Sequence, residues 1–154
     1  MKTRVYLDTS VIGGCYDEEF ALWSKKIFAE INQGQKIAVI SDLTLDEIQS
    51  APQDVRNLWA SLDENKIEYV FLNDEAQQLA QAYLKHKAVS GKHIADAQHI
   101  AMATVNRVDI LVSWNFKQIV NVNRIHQYNA INLMLGYPMI EIRSPREVLD
   151  EKEI

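Results

Sequence analysis

Several residue types are scarce in this chain, and each scarcity removes a class of protein. One cysteine, Cys15, stands among 154 residues. No internal disulfide can form, and a cysteine-built metal centre is excluded. Five glycines and three prolines leave no flexible linker, repeat or low-complexity tract. No apolar run approaches the ~20 residues of a membrane span. Met1 to Arg4 is basic, but Asp8 breaks the following apolar run before a signal-peptide core could form. A cytoplasmic location with no membrane partner is therefore expected. Positive charge is short as well: 16 Lys and Arg face 21 Asp and Glu, for a formal net charge of −5. Such a chain lacks the broad attraction that drives non-specific binding to nucleic acid. To handle a polyanion it needs a local basic patch or bound cations.

What remains is 47% hydrophobic and 24% charged, an ordinary globular balance in a length that suits one domain over residues 1–154. Short runs rich in Val, Ile, Leu and Tyr predict strands at Arg4–Leu7, Lys36–Ser41, Ile67–Leu72, Asp109–Ser113 and Met139–Arg143. Between them, apolar spacing predicts helices over Glu18–Gln33, Leu43–Ser50, Gln53–Glu64, Asp74–Lys87, His93–Arg107 and Arg124–Leu135. Pro52 separates the second from the third, and Gly136 suits the end of the last. This alternation predicts an α/β fold with a mainly parallel sheet covered on both faces.

In such sheets, ligands bind beyond the carboxyl ends of the strands. Asp8 follows the first predicted strand, Glu47 lies shortly after the second in "ISDLTLDEIQS", and Asn115 follows the fourth in "ILVSWNFKQI". Asp96 stands in the first turn of the helix leading into that fourth strand. Oxygen donors gathered at one rim suit a hard divalent cation, magnesium or manganese. Each residue also has a structural reading. Asp8 is a good helix N-cap. Thr44-x-x-Glu47 fits a capping box, with Asp46 as a competing acid, and Glu47 faces inward only if Leu43 does. Asp96 could merely complement a helix dipole. Its helix, "HIADAQHIAMATV", is apolar almost all round, however, so a carboxylate there is costly unless paired, solvated or bound to a cation.

His93, Asp96 and His99 share a third of the helix circumference, which admits zinc, although no HExxH pattern supports it. Thr9, Ser10 and Ser113 could orient carboxylates or waters through their hydroxyls. "YLKHKAVSGKH" concentrates Lys85, His86, Lys87, Lys92 and His93 just before Asp96. That stretch is the best phosphate-contacting patch in the chain, and its plain alternative is a solvated helix end. Lys117, Arg124 and His126 could extend it. Trp114 could stack on a base or pack on a helix. Cys15 has no base beside it.

Taken together and in order, "YLDTSVIGG", "LTLDEI", "HIADAQHIAMA" and "ILVSWNFKQIV" resemble the PIN-domain family, specifically VapC-like toxins of prokaryotic toxin–antitoxin pairs. The closing "MIEIRSPREVL" resembles that group's last strand and tail. The resemblance implies a three-layer α/β/α fold and a magnesium- or manganese-dependent endoribonuclease. By position, Asp8, Glu47 and Asp96 match the family's first three acidic residues and would hold the ion. Where many relatives carry a further aspartate, this chain has Ser113-Trp114-Asn115, so Asn115 and Ser113 would position phosphate or water, and a second ion is disfavoured. Lys85, Lys87, Lys92, His93 and Lys117 would meet RNA. A homodimer and a small antitoxin partner are also implied. Two rival readings stand beside this one. The first is a PIN-like module that binds RNA or protein with weakened catalysis. The second is a phosphoacceptor receiver domain, disfavoured because only one acid follows the first strand.

Overall fold

The computed structural model describes residues 2–150. Five strands, β1 (Thr3–Leu7), β2 (Lys36–Ser41), β3 (Ile67–Val70), β4 (Ile110–Val112) and β5 (Ile142–Arg143), form one sheet in the order β3-β2-β1-β4-β5. Every neighbouring pair is parallel. Because side chains alternate across a strand, each strand feeds two cores. Tyr6, Val39, Val70, Leu111 and Ile142 point to one face, and Val5, Leu7, Ala38, Ile40 and Val112 to the other.

The first face is covered by α5 (Asp74–Lys85), α6 (Ile94–Val105) and α7 (Val122–Met134). The second is covered by α1 (Thr9–Gly13), α2 (Ala21–Asn32), α3 (Asp42–Gln49), α4 (Gln53–Ala60) and α8 (Pro145–Asp150). This is the three-layer α/β/α architecture the alternating pattern predicts. The chain runs outward from β1 through β2 to β3, then crosses back to β4 with its helices on the opposite face. β1 and β4 therefore flank the point where strand order reverses, the place in such sheets where a crevice opens at the carboxyl ends.

Local chemistry accounts for the boundaries that differ from the sequence reading. α1, directly after β1, lies outside the predicted helices, and the helix predicted from Glu18 begins only at Ala21 because Asp17 folds the preceding chain into a turn, accepting from the Glu19 N–H at 2.9 Å. α5 stops at Lys85 because Lys87 takes a positive φ of 61° while the Ala88 N–H reaches back to the Tyr83 carbonyl. β3 ends at Val70 because the Leu72 N–H is taken by Asp42 at 3.1 Å. β5 is shorter than predicted because the Ile140 N–H and C=O are both claimed by the Asn129 side chain. Gly136 does follow the last long helix, with φ 89°.

One close approach ties the second layer to the crevice. Trp114 is buried, stacks on Phe20 with ring centroids 4.1 Å apart, and donates its indole N–H to Ser24 at 2.8 Å. Gly14 faces that bond: a Cβ there would lie 2.5 Å from Ser24 Oγ and 2.7 Å from Trp114 Nε1. Neither atom is the end of a long flexible chain. Gly14→Ala should thus cost ~1–3 kcal/mol, as overpacking does. Urea denaturation of the two proteins checks this.

Candidate active site at the carboxyl edge of the sheet

Asp8 leaves the end of β1 at the N-cap position of α1, yet its carboxylate makes no cap hydrogen bond. Both oxygens are turned instead toward the crevice. Ser10 donates to Oδ1 and Ser113, just past β4, donates to Oδ2, each at 2.6 Å. The side chain is only 5% exposed. Burial raises its proton affinity above the ordinary carboxylate value, while His99 and the two serine hydroxyls counter that rise. The hydroxyls are themselves fixed: Ser10 Oγ accepts the Trp114 N–H at 2.9 Å and Ser113 Oγ accepts the Asn115 N–H at 2.9 Å.

Asp96 projects from the first turn of α6 toward the same crevice. Its proton affinity is raised too, first by burial and then by the charge of Asp8, so the two carboxylates lie within one another's field. His99, His93 and the Asn115 amide act in the opposite direction. Asn115 Nδ2 donates to Asp96 Oδ1 at 3.1 Å, and His93 Nδ1 stands 3.6 Å from Asp96 Oδ2. The orientation of the Asn115 amide follows from its other end, because Oδ1 accepts from the N–H groups of Lys117 and Gln118 at 3.2 and 3.0 Å. Its carbonyl oxygen is thus already engaged in holding the loop.

Glu47 is reached by a different route. Ser41 caps α3 by accepting the Thr44 N–H, so the anticipated Thr44–Glu47 capping box is not used. Leu43 does pack inward, and Glu47 Oε1 accepts from His99 Nε2 at 2.8 Å. His99, 3% exposed, meets the Tyr6 hydroxyl through Nδ1 at 2.6 Å, and Tyr6 in turn donates to Ser41. A single imidazole therefore joins α6, β1 and α3. In the sequence His99 stands out only as sharing a helix face with His93 and Asp96; a histidine one turn after Asp96 on an otherwise apolar helix is the available signal for its bridging place. With both of its nitrogens occupied, His99 is not free to ligate zinc.

Among the described residues, no three His, Cys, Asp or Glu side chains are drawn together closely enough to hold an ion as they stand. The donor chemistry nevertheless fits a hard cation at Asp8 and Asp96. A buried carboxylate and a half-buried one raise each other's energy, and magnesium commonly binds through one or two carboxylates plus several waters. Near these acids in the chain, the buried oxygens Thr9 Oγ1 and Gln118 Oε1 have no hydrogen-bond partner among the described residues. Gln118 is anchored beside Asp96 through His93, 3.3 Å away. Lys85, Lys87, Lys92 and Lys117 are exposed. Tyr83, from the same basic stretch, is buried and bonded to Asn132, and Arg124 is tied to the Ala88 carbonyl.

No protein-family model and no curated protein matches the sequence. Solved structures do match. VapBC2 from Rickettsia felis, bound to a DNA fragment from its promoter, superposes with a TM-score of 0.57 at 12% identity, over 92% of this chain and 98% of that one. A toxin–antitoxin complex from Klebsiella pneumoniae matches at 0.57 and 14% identity, over 78% and 93%. VapC20 from Mycobacterium tuberculosis, a toxin that cleaves the sarcin-ricin loop, matches at 0.57 and 11%, over 88% and 98%. The chain has a VapC-like PIN-domain fold. At these identities the likeness is one of fold.

The Asp8 environment predicts a trade between stability and function. Its folded proton affinity lies above the unfolded one, so the protonated form favours folding. That contribution is complete below the unfolded pKa and is lost as pH rises through the folded value. At neutral pH the ionised carboxylate is then a net burden when no cation is present. Asp8→Asn should raise the melting temperature with chelator at pH 7 by about 2–4 °C, the shift that ~1 kcal/mol produces in a chain of this size. The gain should shrink as the pH is lowered toward 4.

Proposed function

We propose that this protein is a divalent-cation-dependent endoribonuclease that hydrolyses RNA phosphodiesters, acting as the toxin of a toxin–antitoxin pair. The observation that carries the reading is Asp8: a buried carboxylate with raised proton affinity, pinned by Ser10 and Ser113 at the strand-order reversal and within the field of Asp96. A chain folded for stability alone would place an apolar or capping residue there.

In this reading Asp8 and Asp96 hold magnesium or manganese, and Glu47 approaches through water from its place on His99. A divalent ion so held supplies charge neutralisation and an acidified water for attack on phosphorus. The residues themselves have distinct tasks. Ser10 and Ser113 fix the rotamer of Asp8. The Asn115 amide supports Asp96 without adding a charge. His99 keeps Glu47 at the crevice wall, and exposed Lys92 and Lys117, with His93, meet the RNA backbone where the acidic rim would otherwise repel it. Lys85 and Lys87 extend that path. With RNA as substrate, the working location is the cytoplasm, and no described helix is long and apolar enough to cross a membrane. The VapBC and toxin–antitoxin likenesses support a small antitoxin as partner, and the resemblance also favours a second copy of the chain.

One set of observations favours a weaker catalyst acting as an RNA- or protein-binding module. The Asn115 carbonyl and the Glu47 carboxylate are both already engaged, which leaves fewer donors for an ion.

Cleavage of an RNA panel with manganese separates the two readings. Asp8→Asn and Asp96→Asn should each lower the rate by about a hundredfold or more, the scale of several kcal/mol of lost charge stabilisation, while circular dichroism stays unchanged. Undiminished cleavage in both, or cleavage indifferent to chelator, would sink the nuclease. Asn115→Asp places a third negative charge beside Asp96. It should lower the melting temperature with chelator and enlarge the upward shift that manganese produces, both read by thermal unfolding.

A further inference from the structure

Next to the carboxylates lies an aromatic cleft that no step above uses. It encloses about 280 Å³ between the start of α2, the loop after β4 and the loop before α8, and its walls include Phe20, Trp23, Trp114 and Phe116 with Glu19 and Arg146. Phe20 and Trp114 are stacked, and Phe116 stands edge-on to Trp114 with centroids 6.1 Å apart. Phe116 is nevertheless 49% exposed, so much of a ring face is left open to solvent. Two cations attend the outer wall: Lys26 Nζ lies 5.1 Å and the Arg146 guanidinium 5.6 Å from the Trp23 ring centroid.

A second cleft, about 340 Å³, shares Phe20 and Trp114 with the first and opens onto Ser10 and Asn115, the two residues that flank Asp8 and Asp96. The aromatic wall thus adjoins a cleft lined by the direct hydrogen-bond partners of Asp8 and Asp96. Across the two clefts the lining passes from Ser10, Asn115 and Asp17 to the aromatic rings and then to Arg146 with Glu19.

We propose that this cleft is a nucleobase subsite, which receives one unpaired base of a single-stranded RNA whose neighbouring phosphodiester lies at Asp8 and Asp96. It rests on the nuclease reading and names where the substrate's specificity is read. Single-stranded RNA is recognised by splaying bases onto aromatic or guanidinium faces and bonding their edges, and Phe116, Trp23 and Arg146 provide those surfaces. The cleft is smaller than the ~300–1,000 Å³ that takes a drug-sized ligand, which suits one ring system. Arg146 and Lys26 suit the phosphate on the far side of that base. Glu19 can only accept hydrogen bonds when ionised. It therefore favours a base whose Watson–Crick edge presents paired N–H donors, guanine before uracil.

Two of the chain's three tryptophans line the cleft, so base stacking can be read as quenching of intrinsic fluorescence. Short single-stranded oligoribonucleotides are titrated into the whole protein with chelator present, which keeps the readout free of cleavage. The expected result is saturable quenching that guanine-containing oligomers produce at lower concentration than uracil-only ones. Phe116→Ala should weaken binding by about 5- to 150-fold, the effect of losing one base–aromatic stack, and Phe116→Tyr should restore it. Glu19→Gln should reduce the preference for guanine. Equal quenching by base-free ribose phosphate, or binding unchanged in Phe116→Ala, overturns the subsite. So does a cleft blind to RNA but filled by a protein partner. The two readings fail separately. Metal-dependent cleavage without Phe116-dependent binding removes the subsite and leaves the nuclease; Phe116-dependent binding with no cleavage under any cation does the reverse.

Discussion

A carboxylate removed from water must find its compensation in the protein, and at Asp8 that compensation comes from two serine hydroxyls on different parts of the chain. Ser10 belongs to the helix that follows β1, and Ser113 to the loop that follows β4. Each of these hydroxyls also accepts a backbone N–H from the β4 loop. The loop that carries Trp114 and Asn115 is thereby locked to the end of β1. Neither Asp96's partner nor the aromatic wall would stand where it does without that lock. The constraint is unusual in its direction, because the hydroxyls position the acid but do not cancel its desolvation, and the proton affinity of Asp8 remains raised.

His99 serves the opposite side of the crevice. It connects Glu47 to Tyr6, and through Tyr6 to Ser41, which also caps α3. The orientation of the third acid is therefore decided by a residue on α6 rather than by α3 itself. At Asn115 one amide bonds Asp96 and holds two backbone N–H groups at once.

Much of the fold was legible in the sequence because it depends on periodicity. Val5, Leu7 and Ala38 alternate with Tyr6 and Val39 across the two faces, and that alternation with intervening helices needs only the pattern of apolar residues to be read. Boundaries escaped where a side chain captured a backbone group from a distant segment, as Asp42 does at Leu72 and Asn129 at Ile140. The site was legible in part. Asp8, at the end of an apolar strand, and Asp96, in the first turn of an apolar helix, stand out as acids in apolar surroundings, which local pattern can reveal. Glu47 was ambiguous because its neighbours also fit a capping box. Trp114 was ambiguous because stacking on Phe20 and stacking on a base look alike in one dimension.

The sequence by itself determined the class of the molecule: an acidic α/β chain with oxygen donors after its strands and no thiolate chemistry. Hydrophobic periodicity and residue chemistry are local properties, and they survive without coordinates. Only the tertiary structure decided which donors share a crevice, that His99 rather than a cap holds Glu47, and that Phe20, Trp23, Trp114 and Phe116 form a wall beside them. Those outcomes join residues up to 105 positions apart, as between Asp8 and Ser113. They follow from the order in which the strands pair, and no window along the chain contains that order.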